Sequence, residues 1–110
     1  MDINKAIVIG RLGRDPDIRR TRDGRVVASF SVATGKRWKD KETGEKKEVT
    51  HWHNVVVFNE NLAKLVGEYA KKGSRVYVEG EMQTRKWTDQ QGVDRWVTEI
   101  VLSGFKGELH

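Results

Sequence analysis

Apolar and polar positions alternate with a period of two along most of this chain, and the pattern turns helical once. The clearest alternation is Val49-Thr50-His51-Trp52-His53-Asn54-Val55-Val56-Val57-Phe58, the longest run of branched and aromatic residues. Val49, His51, His53, Val55 and Val57 share one face, mostly small aliphatics suited to a barrel interior. Trp52, Asn54, Val56 and Phe58 share the other. Large rings on a half-polar face ask for a partner outside the core.

The same reading predicts the other elements. Residues 3–12 form a first strand, apolar on both faces, with Gly10 and Gly13 bracketing its end as at a bulge or barrel bend. Asp15-Pro16-Asp17 and Asp23-Gly24 are turn signals, the second ringed by arginines. Residues 25–34 form the second strand, with Val26, Ala28, Phe30 and Val32 on one face and Val27, Ser29, Ser31 and Ala33 on the other. Residues 36–48 read as a charged hairpin tip around Thr43-Gly44, with Trp38 among its cations. Residues 59–72 are the one helix: Leu62, Leu65, Val66 and Tyr69 form a buried stripe, Asn59 or Asn61 caps the start, Lys71-Lys72 complement the dipole, and Gly73 stops it. Gly67 inside it points to close packing. Residues 75–83 form a fourth strand that runs on through Trp87 to a turn at 89–92, and 94–103 return as the fifth. Trp87 and Trp96 are expected near one another across this hairpin.

Three strands, one helix and two more strands do not make a parallel sheet covered on both sides. They fit an all-β, five-stranded Greek-key barrel with the helix between strands three and four and long hairpin loops. Small barrels of this oligonucleotide/oligosaccharide-binding (OB) kind bind ligands on strands two and three and the adjoining loops.

Composition narrows the chemistry. With 110 residues and no cysteine, the chain is one domain without disulfides or thiolate zinc sites. No apolar run is long enough to span a membrane, and the start of the chain lacks a signal peptide's apolar core, so the cytoplasm is the expected compartment. Net charge is +5, and it is uneven: residues 1–39 hold ten Lys/Arg against four acids, which suggests a surface facing a polyanion. No phosphate loop, nucleophile or paired acid–base set is present, so an enzyme is not expected and no cofactor is called for. His51 and His53 could face one metal ion, but no further ligands accompany them; a packed or hydrogen-bonded histidine is the better reading.

What remains is aromatics set among cations. Trp38 lies between Lys36-Arg37 and Lys39, and Trp87 follows Arg85-Lys86. Cations hold phosphates through counterion release, and every unpaired base offers a face to stack. Duplex DNA hides those faces, and the one helix spends its stripe on the core. The alternative for Trp38 is that it folds back onto its own hairpin.

The chain resembles the bacterial single-stranded DNA-binding protein family over essentially its whole length. The resemblance rests on Asn4-Lys5, Gly10-Arg11-Leu12-Gly13-Arg14-Asp15-Pro16, residues 28–34, Trp38-Lys39-Asp40-Lys41 with Thr43-Gly44-Glu45, and Trp52-His53-Asn54-Val55-Val56. It rests also on Glu68-Tyr69 with Lys72-Gly73-Ser74, and on Val78-Glu79-Gly80 followed by Thr84-Arg85-Lys86-Trp87. It implies an OB-fold homotetramer that wraps single-stranded DNA in replication, recombination and repair. Trp38, Trp52, Phe58 and Trp87 would stack bases. Lys5, Lys72, Arg85 and Lys86 would contact phosphates, joined by Lys36 and Arg37 beside Trp38. Asn4 and His53 would support a subunit interface.

Departures from the family pattern sharpen these expectations. Arg20 replaces a common aromatic, turning a stacking contact into a charge contact. The stretch 58–62 is one residue longer, Glu60 removes a nearby positive charge, and Gln83 replaces a frequently basic position. Residues 1–104 are expected to form the DNA-binding domain and 105–110 a short extension that trails off, without the family's flexible linker and acidic, partner-recruiting tip. The chain is then either the binding domain of a longer protein or a tailless member, associated with the nucleoid. Two rival readings are an interaction module that bridges replication proteins and a single-stranded RNA-binding domain.

Overall fold

The computed structural model describes residues 1–102 and 108–110, with the backbone alone at 108 and 109. Its elements are β1 (Ala6–Leu12), β2 (Asp17–Arg20), β3 (Val26–Lys39), β4 (Lys46–Val57), α1 (Glu60–Tyr69), β5 (Arg75–Thr88), β6 (Asp94–Leu102) and β7 (Glu108–Leu109).

The five long strands close on themselves. β1 pairs antiparallel with both β3 and β5, β3 with β4, and β5 with β6. A short parallel ladder, Val55 with Ile100 through Val57 with Leu102, joins β4 to β6 and completes the ring. This is the expected OB arrangement, with α1 between β4 and β5. β1 pairs through both of its edges, and Gly10 lets β3 approach closely: a Cβ there would stand 2.1 Å from the Ala33 carbonyl oxygen.

Inward-pointing residues fill the ring as their period predicts. Val26, Ala28, Phe30 and Val32 of β3 are buried, as are Val55 and Val57 of β4, Val76 and Val78 of β5, and Ile100 and Leu102 of β6. Truncating a side chain as deeply buried as Leu102 to alanine costs about 2–5 kcal/mol. α1 covers the barrel beside β3. Asn59 caps it by accepting from the Leu62 N–H at 3.2 Å, and Ala63 and Val66 are its buried residues.

Several expectations are corrected. The ladder of β1 starts at Ala6, three residues later than the alternation predicts. Asn4 replaces it there: its amide donates to the Met82 carbonyl at 2.8 Å and accepts from the Met82 N–H at 2.9 Å. β2 is a strand that the turn signals concealed, since all four of its residues are exposed and show no alternation of burial. The charged segment 36–48 is no loop. Pairing continues to Lys39 with Lys46, because a ladder beyond the barrel needs only backbone hydrogen bonds and tolerates charge on both faces.

The helix ends at Ala70, so Lys71 and Lys72 lie past its last turn, and the positive φ of Gly73 (88°) serves the following turn. Its buried arc is shifted from the expected stripe: Leu65 and Tyr69 are exposed, and small Ala63 takes the core position. Gly67 faces Ile18 of β2, where a Cβ would sit in ordinary contact at 3.4 Å. In the expected extension, 105–107 lie outside the described residues. Residues 108–110 do not trail off: β7 pairs with β5, and the His110 ring packs edge-on to Tyr77.

Candidate nucleic-acid interface

A groove of about 730 Å³ crosses the outer face of β3 and β4. Ser29, Ser31 and Asn54 are among its floor residues. Arg14, Asp15, Asp17 and Arg19 of the β1–β2 region form one wall, and Arg85, Trp87, Val97 and Glu99 of the β5–β6 hairpin form the other. A hollow holding Trp52 opens beside it and shares Arg14 and Ser31. The groove and the hollow together make one open trough that takes in Trp87 and Trp52, 44% and 58% exposed.

The backbone makes room for Trp52. A Cβ on Gly13 would come within 2.4 Å of the indole ring, so the missing side chain lets the ring lie against the β1–β2 loop. This holds the ring in place with one face left for a ligand. On the floor, the Ser31 hydroxyl donates to Asn54 Oδ1 at 3.2 Å.

Charge in the trough is balanced. Arg19 Nε meets Asp17 at 2.8 Å, and Arg85 Nε meets Glu99 at 2.8 Å. The Glu99 hydrogen bond and charge push the Arg85 guanidinium further up in pKa, so it stays a cation at any working pH. Arg14 makes no ion pair among the described residues. The groove itself thus offers rings, hydroxyls, an amide and oriented guanidinia rather than a large net field.

Lysines that make no ion pair among the described residues gather on the β3–β4 hairpin: Lys36, Lys39, Lys41 and Lys46. Trp38, 52% exposed, sits there in a hollow of about 440 Å³ with Arg37, Lys39, Lys46, Lys47 and Glu48. The ring rests among its own hairpin's side chains and still presents half its surface.

The profile of the single-strand binding protein family matches residues 3–106. The chain belongs to that family. A curated relative, the single-stranded DNA-binding protein of Rhizobium meliloti (strain 1021), is 55% identical over 107 residues, which are 97% of this chain and 62% of the relative. The chain thus spans about three fifths of that relative's length. A solved structure, the Plasmodium falciparum SSB complex with ssDNA, matches with a TM-score of 0.86 at 45% identity, covering 99% of this chain and 94% of that one.

Within this single-strand binding fold the residues singled out from sequence do not all converge. Trp87 and Arg85 line the groove, and Trp52 lies in the hollow beside it. Phe58, 50% exposed, has the strand parity of Trp52 but lies past the end of β4, where its N–H donates to the Leu102 carbonyl. Trp38 pairs in register with Lys47 and so points to the opposite face of its hairpin from Trp52, which pairs with Ala33. Lys36 follows Trp38, whereas Arg37 bonds Glu48 at 3.6 Å on the Trp52 side. Lys86 pairs in register with Trp96, behind the groove, and bonds Asp94 at 3.2 Å. Trp87 pairs with Arg95, so the two tryptophans of this hairpin occupy opposite faces instead of meeting across it.

Lys5 is bound to Glu79 at 2.7 Å. The Lys72 backbone N–H donates to Asp15 at 2.8 Å, which fixes the turn after α1 beside the groove wall. Arg20 turns away from the groove and reaches the Gly24 carbonyl at 3.4 Å. His53 shares a 2.8 Å hydrogen bond with Thr34. Among the described residues no cluster of three or more His, Cys, Asp or Glu could hold a metal, and no helix is long and apolar enough to cross a membrane.

Sequence reasoning missed Arg14 and Arg19. Arg14 follows the glycine that seats Trp52, and Arg19 alternates with Ile18, which touches the helix. The first signal becomes readable once Trp52 is seen against Gly13, the second once β2 is known to be a strand.

Proposed function

We propose that this chain binds single-stranded DNA without regard to base sequence, protecting it during replication, recombination and repair. The observation that carries the proposal is the open trough that joins Trp52 to Trp87 across a polar floor, flanked by oriented arginines. Each stacked base is worth on the order of 1–3 kcal/mol, and stacking is tolerant of sequence because every base has a π-face. Duplex bases are already stacked on one another and gain nothing here. The relatives' names, single-stranded DNA-binding protein and SSB complex with ssDNA, agree with this reading.

The site assignment follows from the same chemistry. Trp52 and Trp87 stack bases in the trough, where Arg85, with Arg14 and Arg19 added by the groove, holds phosphates; Trp38, Phe58, Lys5, Arg20, Lys36, Arg37, Lys72 and Lys86 take bases and phosphates where the strand runs past the trough and around the barrel. A homotetramer accompanies this reading. Asn4 and His53, both hydrogen-bonded within the chain, steady the backbone at its subunit contact, and the working compartment is the cytoplasm. The test is tryptophan emission during titration with oligo(dT) and with matching duplex at two salt concentrations. Strong quenching by the single strand alone, weakened by salt, is expected. Equal response to duplex, or none to the single strand, overturns the reading.

A further inference from the structure

The groove face does not stop at the groove. On β3 the outward positions run Ser31, Ser29, Val27, and the next one in line is Arg25. On β2 the same face carries Asp17, paired with Ser29, and Arg19, paired with Val27. The ladder gains one further bond, from the Thr21 N–H to the Arg25 carbonyl at 2.9 Å, which places Thr21 beside Arg25 in the same row. Phe58 has the parity of this face on the neighbouring strand. From Ser29 to Arg25 is about 14 Å at the usual strand rise of about 3.4 Å per residue.

That row ends in a turn held shut on itself. The Gly24 N–H donates to the Thr21 carbonyl at 3.0 Å, the Arg25 N–H to the Thr21 hydroxyl at 3.1 Å, and the Thr21 hydroxyl to the Asp23 carboxylate. Asp23 also meets Arg25 Nε at 3.4 Å with both side chains largely exposed. Arg22, at the tip, makes no ion pair among the described residues. A turn this tightly tied does not need four arginines for its own stability. Each guanidinium is a planar fork matched to phosphate oxygens, and exposed ion pairs such as Arg25 with Asp23 are weak enough to exchange partners.

We propose that Arg22 and Arg25 form a phosphodiester-binding extension of the groove, taking the backbone of a strand that leaves the trough past Phe58. The ligand is the same polyanion as in the function proposed above, and the inference rests on that reading. It adds that the footprint on one subunit is longer than the aromatic trough by a segment held through phosphates alone. Thymine, adenine and any other base are equal there, since guanidinia meet phosphates and not bases.

The test compares the full chain with its Arg22→Ala/Arg25→Ala double variant, protein in excess, on oligo(dT) of about 5 and about 12 nucleotides, within the range that OB folds engage. Affinity is followed against salt. For the longer strand the variant should lose about 1.4 from the log–log salt slope, two phosphate contacts at about 0.7 each. For the shorter strand the two proteins should coincide. The Arg22→Lys/Arg25→Lys variant, which keeps the charge, should recover most of the slope. Equal slopes on the longer strand overturn the extension. A loss of the same size on both strands overturns its placement beyond the trough. Failure of the unaltered chain to bind either strand overturns the proposed function itself, an outcome distinct from the other two.

Discussion

The two hairpins that project from the barrel each carry exposed tryptophan among cations, yet they manage charge in opposite ways. On the outer part of the β5–β6 hairpin, residues 81–99, each cation has a carboxylate: Arg85 with Glu99, Lys86 with Asp94, Arg95 with Asp89. On the β3–β4 hairpin only Arg37 and Lys47 are paired, and Lys36, Lys39, Lys41 and Lys46 make no ion pair among the described residues. Paired guanidinia are held in position at little net charge. Unpaired lysines are poorly oriented but condense a polyanion, releasing its counterions. The first hairpin is built to place a ring, the second to raise the local concentration of ligand.

The sharpest way to break this contrast is on the positioning hairpin, whose tryptophans face opposite sides. Trp87→Ala should cost on the order of 1–3 kcal/mol of binding to oligo(dT), roughly 5- to 150-fold in affinity. Trp96, though more exposed at 66%, lies behind the groove beside Lys86, so Trp96→Ala should cost clearly less than Trp87→Ala. Equal losses in an equilibrium titration would mean the two faces are not functionally distinct.

Next in size is the response to salt. Replacing Lys36, Lys39, Lys41 and Lys46 by alanine should flatten the log–log salt slope by about 0.7 for each lysine that sits on a phosphate. Glu99→Gln should act in the opposite direction. It releases Arg85, steepening the slope by about 0.7. Both variants moving the same way would end the division of labour.

The smallest effect is on pH. Asp89 accepts from the Gln91 and Val93 N–H groups at 2.9 Å each, and the Val93 bond is the main cause of its lowered pKa. A carboxyl whose folded pKa is depressed contributes stability above its unfolded pKa and loses it as pH falls through the folded one. The β5–β6 turn should therefore be indifferent to pH near neutrality and loosen only below the ordinary carboxylate range. Amide exchange at residues 89–93 reads this directly, and Asp89→Asn should shorten protection there at neutral pH.

The inner faces of the strands were legible because burial enforces their period. Val26, Ala28, Phe30 and Val32 inward and Trp52 outward follow from alternation alone. The register of the last hairpin was not read, although its turn holds it. Asp89 closes on Val93, so Thr88 must pair with Asp94 and Trp87 with Arg95, which puts Trp96 on the other side. β2 escaped because a fully exposed strand carries no hydrophobic alternation, and with it went Arg19. The helix start was clear from Asn59, whereas its stripe was misplaced: Leu65 and Tyr69 outweigh Ala63 in hydrophobicity, but the close approach to the barrel selects the smaller side chain.

The parallel seam between β4 and β6 has a kinetic consequence. Its partners, such as Val55 and Ile100, lie far apart in sequence, and no short turn can bring them together. Loop-closure entropy makes such a junction a late event, after the local hairpins have zipped. A ribosome-bound chain that still lacks β6 holds β4 with one unsatisfied edge. The residues that finish the barrel are thus also those that end its exposure to aggregation.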